Sequence, residues 1–204
     1  MTDARPVGHT LMGMPAPKRG RQNTRREVGG FEREKDDFYP TPPTLTRPLL
    51  RLEAFHGDVW ECACGDGAIA QEFGASRVVS TDLVDRGYGR AGVDFLMERA
   101  LLAPNIVTNP PFKLWRAFAE HAHALGARKV VFLGRLLNLE GAANSRMFEA
   151  TGLTRVWIAT RRVNFLPPGA MTKGHGTVIA YAWFVWERGH KGPWSGNFFT
   201  PDKE

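Results

Sequence analysis

Short apolar runs alternate with stretches of helical spacing along most of this chain. Residues 41–55 open on Pro42-Pro43 and then place Leu45, Leu49, Leu50 and Leu52 at helical intervals. That is a helix with a proline-rich start, and Pro48 marks a kink within it. Strands are predicted at about 58–63, 77–81, 91–95, 104–108 and 129–134, with a sixth at 154–160 and a seventh at 177–187. Helical patterns intervene at 68–73, 113–124 and 144–150. Strands alternating with helices predict a doubly wound α/β domain, in which ligands gather beyond the carboxyl ends of the strands. Trp183 and Trp186 sit where that sheet packs and are expected on its faces rather than in a binding platform.

Two breaks in the pattern carry chemistry. The first strand ends in Glu61-Cys62-Ala63-Cys64-Gly65-Asp66-Gly67, a glycine-rich turn before a helix. Glycines allow a ligand close to the backbone, and the helix start offers free amides. The turn lacks the third glycine of the dinucleotide fingerprint and the Gly-Lys-Ser/Thr of a phosphate loop. The second strand ends at Asp82, seventeen positions after Gly65, with Leu83 next. A carboxylate there suits a pair of ribose hydroxyls. The third segment ends at Asp94-Phe95-Leu96, where an acid would accept from an adenine amine with Phe95 or Leu96 beside the ring. Either carboxylate taken alone is also an ordinary loop residue.

The second break is Asn109-Pro110-Pro111-Phe112, between the strand at 104–108 and the next helix. Two prolines fix two φ angles and remove two backbone donors. Asn109 Oδ1 and the Pro110 carbonyl would accept both hydrogens of an exocyclic amine, and Phe112 would lie against its ring. The plain alternative is a tight β–α turn with Phe112 plugging the core. Asp66, Asp82, Asp94 and Asn109 all fall just past predicted strand ends, as one shared site requires.

These motifs resemble S-adenosylmethionine-dependent amino-methyltransferases of nucleic-acid bases, and most closely the phage-type DNA N6-adenine methyltransferases. The narrower likeness rests on Asp37-Phe38-Tyr39-Pro40-Thr41-Pro42, on the loop from Glu61 to Gly67, and on Tyr181-Ala182-Trp183-Phe184-Val185-Trp186 with Arg188-Gly189-His190-Lys191-Gly192-Pro193 behind it. The resemblance implies a Rossmann-like sheet of seven strands, mostly parallel, with an antiparallel terminal hairpin. It implies S-adenosylmethionine as cofactor, with no metal, and catalysis by Asn109, Pro110, Pro111 and Phe112. Thr41, Glu61, Ala63, Gly65, Asp66, Gly67, Asp82, Leu83, Asp94 and Phe95 would hold the cofactor, Thr41 and Glu61 at its methionine end.

Substrate contacts would come from Tyr39 and from the long connection at 161–176. Within it, Phe165 would cover the second face of a flipped base, or else anchor the loop in the core. Arg161, Arg162 and Lys173 would touch phosphates. An adenine inside a duplex cannot reach such a pocket, so base flipping is implied. The 92 residues after Phe112 are mostly needed for the sheet, so no separate target-recognition domain is expected and any sequence preference falls to loops. An RNA base or protein glutamine methyltransferase would use the same loop. A non-catalytic cofactor- and nucleic-acid-binding module is the third reading.

Charge and composition narrow the partners. The formal charge is +6, and residues 1–35 hold eight Lys/Arg against four Asp/Glu. That Gly-, Pro- and Arg-rich tail is expected to be disordered, with residues 36–204 forming one domain. Such a tail raises encounter with nucleic acid, most simply DNA, or serves only solubility. No apolar run approaches the ~20 residues of a membrane span, and no signal peptide is expected. Cys62 and Cys64 lie on one strand and are not spaced for a mutual disulfide, which fits a reducing cytoplasm, that of a bacterial host by the family likeness. Zinc would need two further ligands that the neighbourhood of this pair lacks. His121 and His123 are two apart on a helix and do not share a face.

Overall fold

The computed structural model describes residues 38–165 and 179–203. The tail at 1–35 and Lys173 lie outside them. Seven strands, β1 (Val59–Glu61), β2 (Val78–Ser80), β3 (Asn105–Thr108), β4 (Lys129–Arg135), β5 (Leu153–Ala159), β6 (Tyr181–Glu187) and β7 (Ser195–Phe199), form one sheet. Its order is β2-β1-β3-β4-β6-β5-β7. Only β6 runs against its neighbours, antiparallel to both β4 and β5, while β7 returns parallel to β5. This is the doubly wound, mostly parallel sheet with an antiparallel hairpin that the sequence implied.

Period-two alternation divides the core between the two faces. Val130 and Phe132 of β4 join Phe184 and Trp186 of β6 on one side. Val131 and Leu133 join Trp183 and Val185 on the other. The first face is covered by α3 (Trp115–Ala124) and α4 (Ala142–Thr151) through Trp115, Phe118, Met147 and Phe148. The second is covered by α1 (Pro43–Leu52) and α2 (Ala68–Phe73) through Leu45, Leu49 and Ile69. Trp183 and Trp186 are thus packed on opposite faces. Trp183 Nε1 also donates to the Leu45 carbonyl at 3.1 Å, which fastens α1 to the middle of the sheet.

At the far edge, the side chain of Glu53 is 1 % exposed and accepts from Lys129 Nζ at 2.8 Å, Arg155 Nε at 2.5 Å and Trp157 Nε1 at 2.7 Å. Burial works to raise this carboxyl, but its three donors prevail and bring it down to about 2. This network joins the end of α1 to β4 and β5 on the side away from the candidate site.

Two strand expectations need correction. Residues 91–95 form no strand. Backbone pairing there is a single bridge between Thr81 and Arg90, and Gly87, Gly89 and Gly92 all adopt positive φ, which breaks an extended run. The strand expected at 177–187 is β6, and the strand that was not expected is β7, whose residues are exposed except for Phe199, so no apolar alternation announces it. Among the described residues no helix is long and apolar enough to cross a membrane.

Candidate active site

The glycine turn is built by hydrogen bonds from its two neighbours. The Cys64 amide donates to the Thr81 carbonyl at 3.0 Å, and the Gly67 amide closes back on the Cys64 carbonyl at 2.8 Å. Gly65 and Gly67 have φ of 57° and 83°, a region that costs an L side chain about 1–2 kcal/mol. The Gly65 amide donates to Asp82 Oδ2 at 2.8 Å, and Asp82 Oδ1 accepts from the Val84 amide at 2.9 Å. Asp66 Oδ1 accepts from the Ala68 amide at 3.3 Å at the start of α2. A Cβ on Gly65 would stand 2.4 Å from the Phe38 ring, and one on Gly67 2.6 Å from the Tyr88 ring. Two aromatics therefore lie directly over this turn, and the Arg86 guanidinium stacks on Phe38 at 4.1 Å.

Glu61 lies beneath the turn, 1 % exposed, accepting from the Ala70 amide at 2.9 Å. Burial pushes its carboxyl well above the ordinary range; the Ala70 bond opposes the shift, and the nearby Asp66 and Asp82 charges add to it. Burial likewise raises the Cys64 thiol to about 12, so it is not a thiolate nucleophile at neutral pH.

Asp94 is half-buried, and its Oδ1 caps a short 3-10 turn through the Leu96 amide at 3.0 Å. Phe95 is not beside a ligand space. It is 2 % exposed and packs edge-on against Trp60 and His121 and tilted against Phe118. Leu83, by contrast, is 61 % exposed next to Asp82.

Asn109 stands at the end of β3, beside the turn. Thr108 Oγ1 donates to the Ala63 carbonyl at 3.4 Å, which joins the two loops. Asn109 Nδ2 donates to Thr41 Oγ1 at 3.1 Å, and in this orientation Asn109 Oδ1 is buried with no hydrogen-bond partner. Thr41 is itself buried, so the segment before α1 fixes the amide. The Pro111 carbonyl accepts from the Leu114 amide at 2.9 Å and belongs to the approach to α3. Phe112 is half-buried, neither a core plug nor fully free.

The remaining candidates divide. Phe165 packs on Tyr181 with ring centroids 4.5 Å apart, and Phe112 lies 6.5 Å from the same ring. Tyr39 is half-buried, in the neighbourhood of Tyr181. Arg161 and Arg162 are exposed, and Arg161 Nη2 donates to the Pro201 carbonyl at 2.5 Å, toward the chain beyond β7.

Sequence reasoning missed two residues. Arg135 closes β4 opposite Tyr181 of β6, and its guanidinium lies 4.2 Å from the centre of the Phe112 ring. Burial raises the Tyr181 phenol, while the Arg135 charge and its side-chain hydrogen bond pull it down. Gly134 before it is tight because Trp115 Nε1 reaches past to the Leu133 carbonyl at 2.9 Å; a Cβ there would stand 2.7 Å from that nitrogen. The usable signal was an arginine closing the apolar run Val130–Leu133. A cavity of about 270 Å³ opens beside Phe112, with Lys113, Arg116, Asn138 and Asn144 in its wall.

Neither a family model nor a curated protein matches this chain. Solved structures do. A modification subunit of a putative type I restriction enzyme from Vibrio vulnificus matches with a TM-score of 0.53 and 14 % identity over 80 % of this chain and 47 % of its own. The type I restriction-modification methyltransferase subunit from Streptococcus thermophilus gives 0.52 and 13 % over 74 % and 45 %. The E. cuniculi Mtq2–Trm112 complex, responsible for methylation of the eRF1 translation termination factor, gives 0.52 and 16 % over 75 % of this chain and 99 % of the matched one. The present chain spans less than half of either restriction-system subunit. The class defined is the Rossmann-like methyltransferase fold.

Proposed function

We propose that this chain is an S-adenosylmethionine-dependent N-methyltransferase of a nucleic-acid base, with N6 of a flipped DNA adenine as acceptor. The observation that carries this is Asn109. A buried amide oxygen without a partner costs about 1–3 kcal/mol, so its place beside a glycine turn calls for a donor from outside. An exocyclic amine is such a donor.

Two features fit the cofactor. The Gly65–Gly67 turn has two aromatic rings, Phe38 and Tyr88, packed against its glycines, and Asp82, held by the Gly65 amide, keeps further lone pairs for ribose hydroxyls. Thr41, Glu61, Ala63, Asp66, Leu83 and Asp94 complete the holding set, with the backbone at Phe95 rather than its ring. Bound there, the cofactor supplies a methyl group already activated by its sulfonium.

The chain's own task is alignment. Adenine's amine is a weak nucleophile because its lone pair is delocalised into the ring. Accepting both hydrogens at Asn109 Oδ1 and the Pro110 carbonyl favours a pyramidal nitrogen with its lone pair free. Thr41 holds the amide so that its oxygen faces the amine. Phe112 and Phe165 give the ring stacking surfaces, each worth about 1–3 kcal/mol in single-strand binders. Asn109 is no base at neutral pH, so the proton leaves to water after transfer. Lys173 and the exposed Arg162 are assigned to phosphates.

The near-complete span of the eRF1-methylating relative favours a second reading, a protein or RNA acceptor gripped by the same loop. Tritiated methyl transfer onto DNA, RNA and protein separates the two. Mass spectrometry of released nucleosides is expected to show N6-methyladenine. Label only in protein overturns the proposal.

A further inference from the structure

Four buried side-chain atoms among the described residues have no hydrogen-bond partner: Thr46 Oγ1, Asn109 Oδ1, Arg135 Nε and His190 Nε2. Two of them, one acceptor and one donor, belong to the Asn-Pro-Pro-Phe loop and to the residue stacked on it. β3 and β4 are parallel neighbours paired through Thr108 and Phe132, so Asn109 and Arg135 emerge at the same edge of the sheet. The Arg135 guanidinium lies on the Phe112 ring at 4.2 Å and hydrogen-bonds the Tyr181 side chain, while no ion pair among the described residues engages it and its Nε keeps no partner. A cationic donor with one nitrogen buried and unmatched is costly unless a ligand completes it.

An unmatched acceptor and an unmatched donor at the same end of two adjoining strands would complement one chemical edge: an amine N–H next to a ring nitrogen. Adenine has this at N6 with N1 or N7, and cytosine at N4 with N3; thymine and uracil lack it. We propose that Arg135 is a specificity-determining residue that donates to the ring nitrogen beside the exocyclic amine, so that Asn109 and Arg135 together read the amidine edge of the base. This rests on the nucleobase reading above. A glutamine amide also pairs a donor with an acceptor, but it offers no broad ring to the Phe112, Phe165 and Tyr181 cluster.

The test uses random-sequence oligonucleotides, single-stranded and duplex, made with adenine, 7-deazaadenine or 1-deazaadenine throughout, and the full chain as wild type, Arg135→Met and Arg135→Lys. Hydrogen bonds to charged groups correspond to about 10- to 100-fold in rate ratio. Wild-type kcat/KM is expected to fall by about that factor on one deaza analogue and not the other. Both variants are expected to lose adenine activity and to treat that analogue and adenine alike. The ratio is internal to each variant, so partial misfolding cancels. Equal use of all three bases by wild type overturns the role of Arg135 and leaves the methyltransferase reading standing, without need of a folded variant. So does an undiminished analogue effect in the variants. Absence of transfer onto any nucleic acid, with or without transfer onto a glutamine peptide, removes both.

Discussion

The Gly65 amide donates to Asp82 Oδ2 at 2.8 Å, so the turn after β1 and the loop after β2 are one hydrogen-bonded unit. Asp82→Ala removes both this tie and the acceptor assigned to the ribose. S-adenosylmethionine affinity is expected to fall at least ~10-fold by calorimetry, consistent with the loss of hydrogen bonds to a charged group. Asp82→Asn keeps one acceptor and is expected to lie between. Unchanged affinity in Asp82→Ala removes Asp82 from the site.

Asn109→Ala deletes the unpartnered acceptor without touching the glycine turn. Turnover is expected to drop by roughly 10²–10³ or more, as for other preorganised polar groups at a reacting centre, with cofactor affinity nearly unchanged. Thr41→Val frees the Asn109 Nδ2 and is expected to cost about tenfold in kcat, with little change in KM for the nucleic acid and weaker S-adenosylmethionine binding. Near-normal turnover of Asn109→Ala refutes its role.

Gly67→Ala puts a Cβ 2.6 Å from the Tyr88 ring at a φ of 83°. A loss of about 1–3 kcal/mol is expected in chemical denaturation, together with weaker cofactor binding. Adding Tyr88→Ala relieves the collision and not the dihedral, so the double variant should recover only part of the stability. Full recovery would mean that the backbone conformation is not strained by a side chain.

The Glu53 network predicts a specific acid sensitivity. The carboxyl is depressed in the folded chain from about 4.5 to about 2, so its stabilisation is complete above about pH 4.5 and is lost as pH falls toward 2. The shift corresponds to on the order of 3 kcal/mol. Glu53→Gln should lower the denaturation midpoint at pH 7 and flatten the pH dependence between about 5 and 2. A variant with the same acid limb as wild type would show that other carboxylates govern it.

Most of the fold was legible because β3, β4 and β6 are buried on both faces and read as apolar runs. The helices at 43–52, 68–73, 115–124 and 142–151 follow the periodicity within three residues. What failed was governed by local backbone and by edges. Residues 91–95 looked like a strand, but three positive-φ glycines around them favour turns, and Phe95 is apolar because it fills the core against Trp60. β7 is an edge strand whose pairing with β5 is set by the sheet rather than by its own Ser-Gly-Asn-Phe-Phe sequence. The motif loops were visible as sequence. The partners that complete them, Thr41 under Asn109 and Arg135 over Phe112, come from 68 and 23 residues away and needed coordinates.

The reversed strand has a consequence for how the molecule is made. β4 and β5 never touch as sheet neighbours; β6 is wedged between them and arrives after both in the chain. Until the ribosome has delivered the segment around Trp183, the nascent sheet is β2-β1-β3-β4 with a bare edge at β4, and β5 has no sheet neighbour. Long-range closures of this kind are slow, and waiting edges invite aggregation. Burdening β6 should therefore lower soluble yield in cells more steeply than an equally destabilising change in β1.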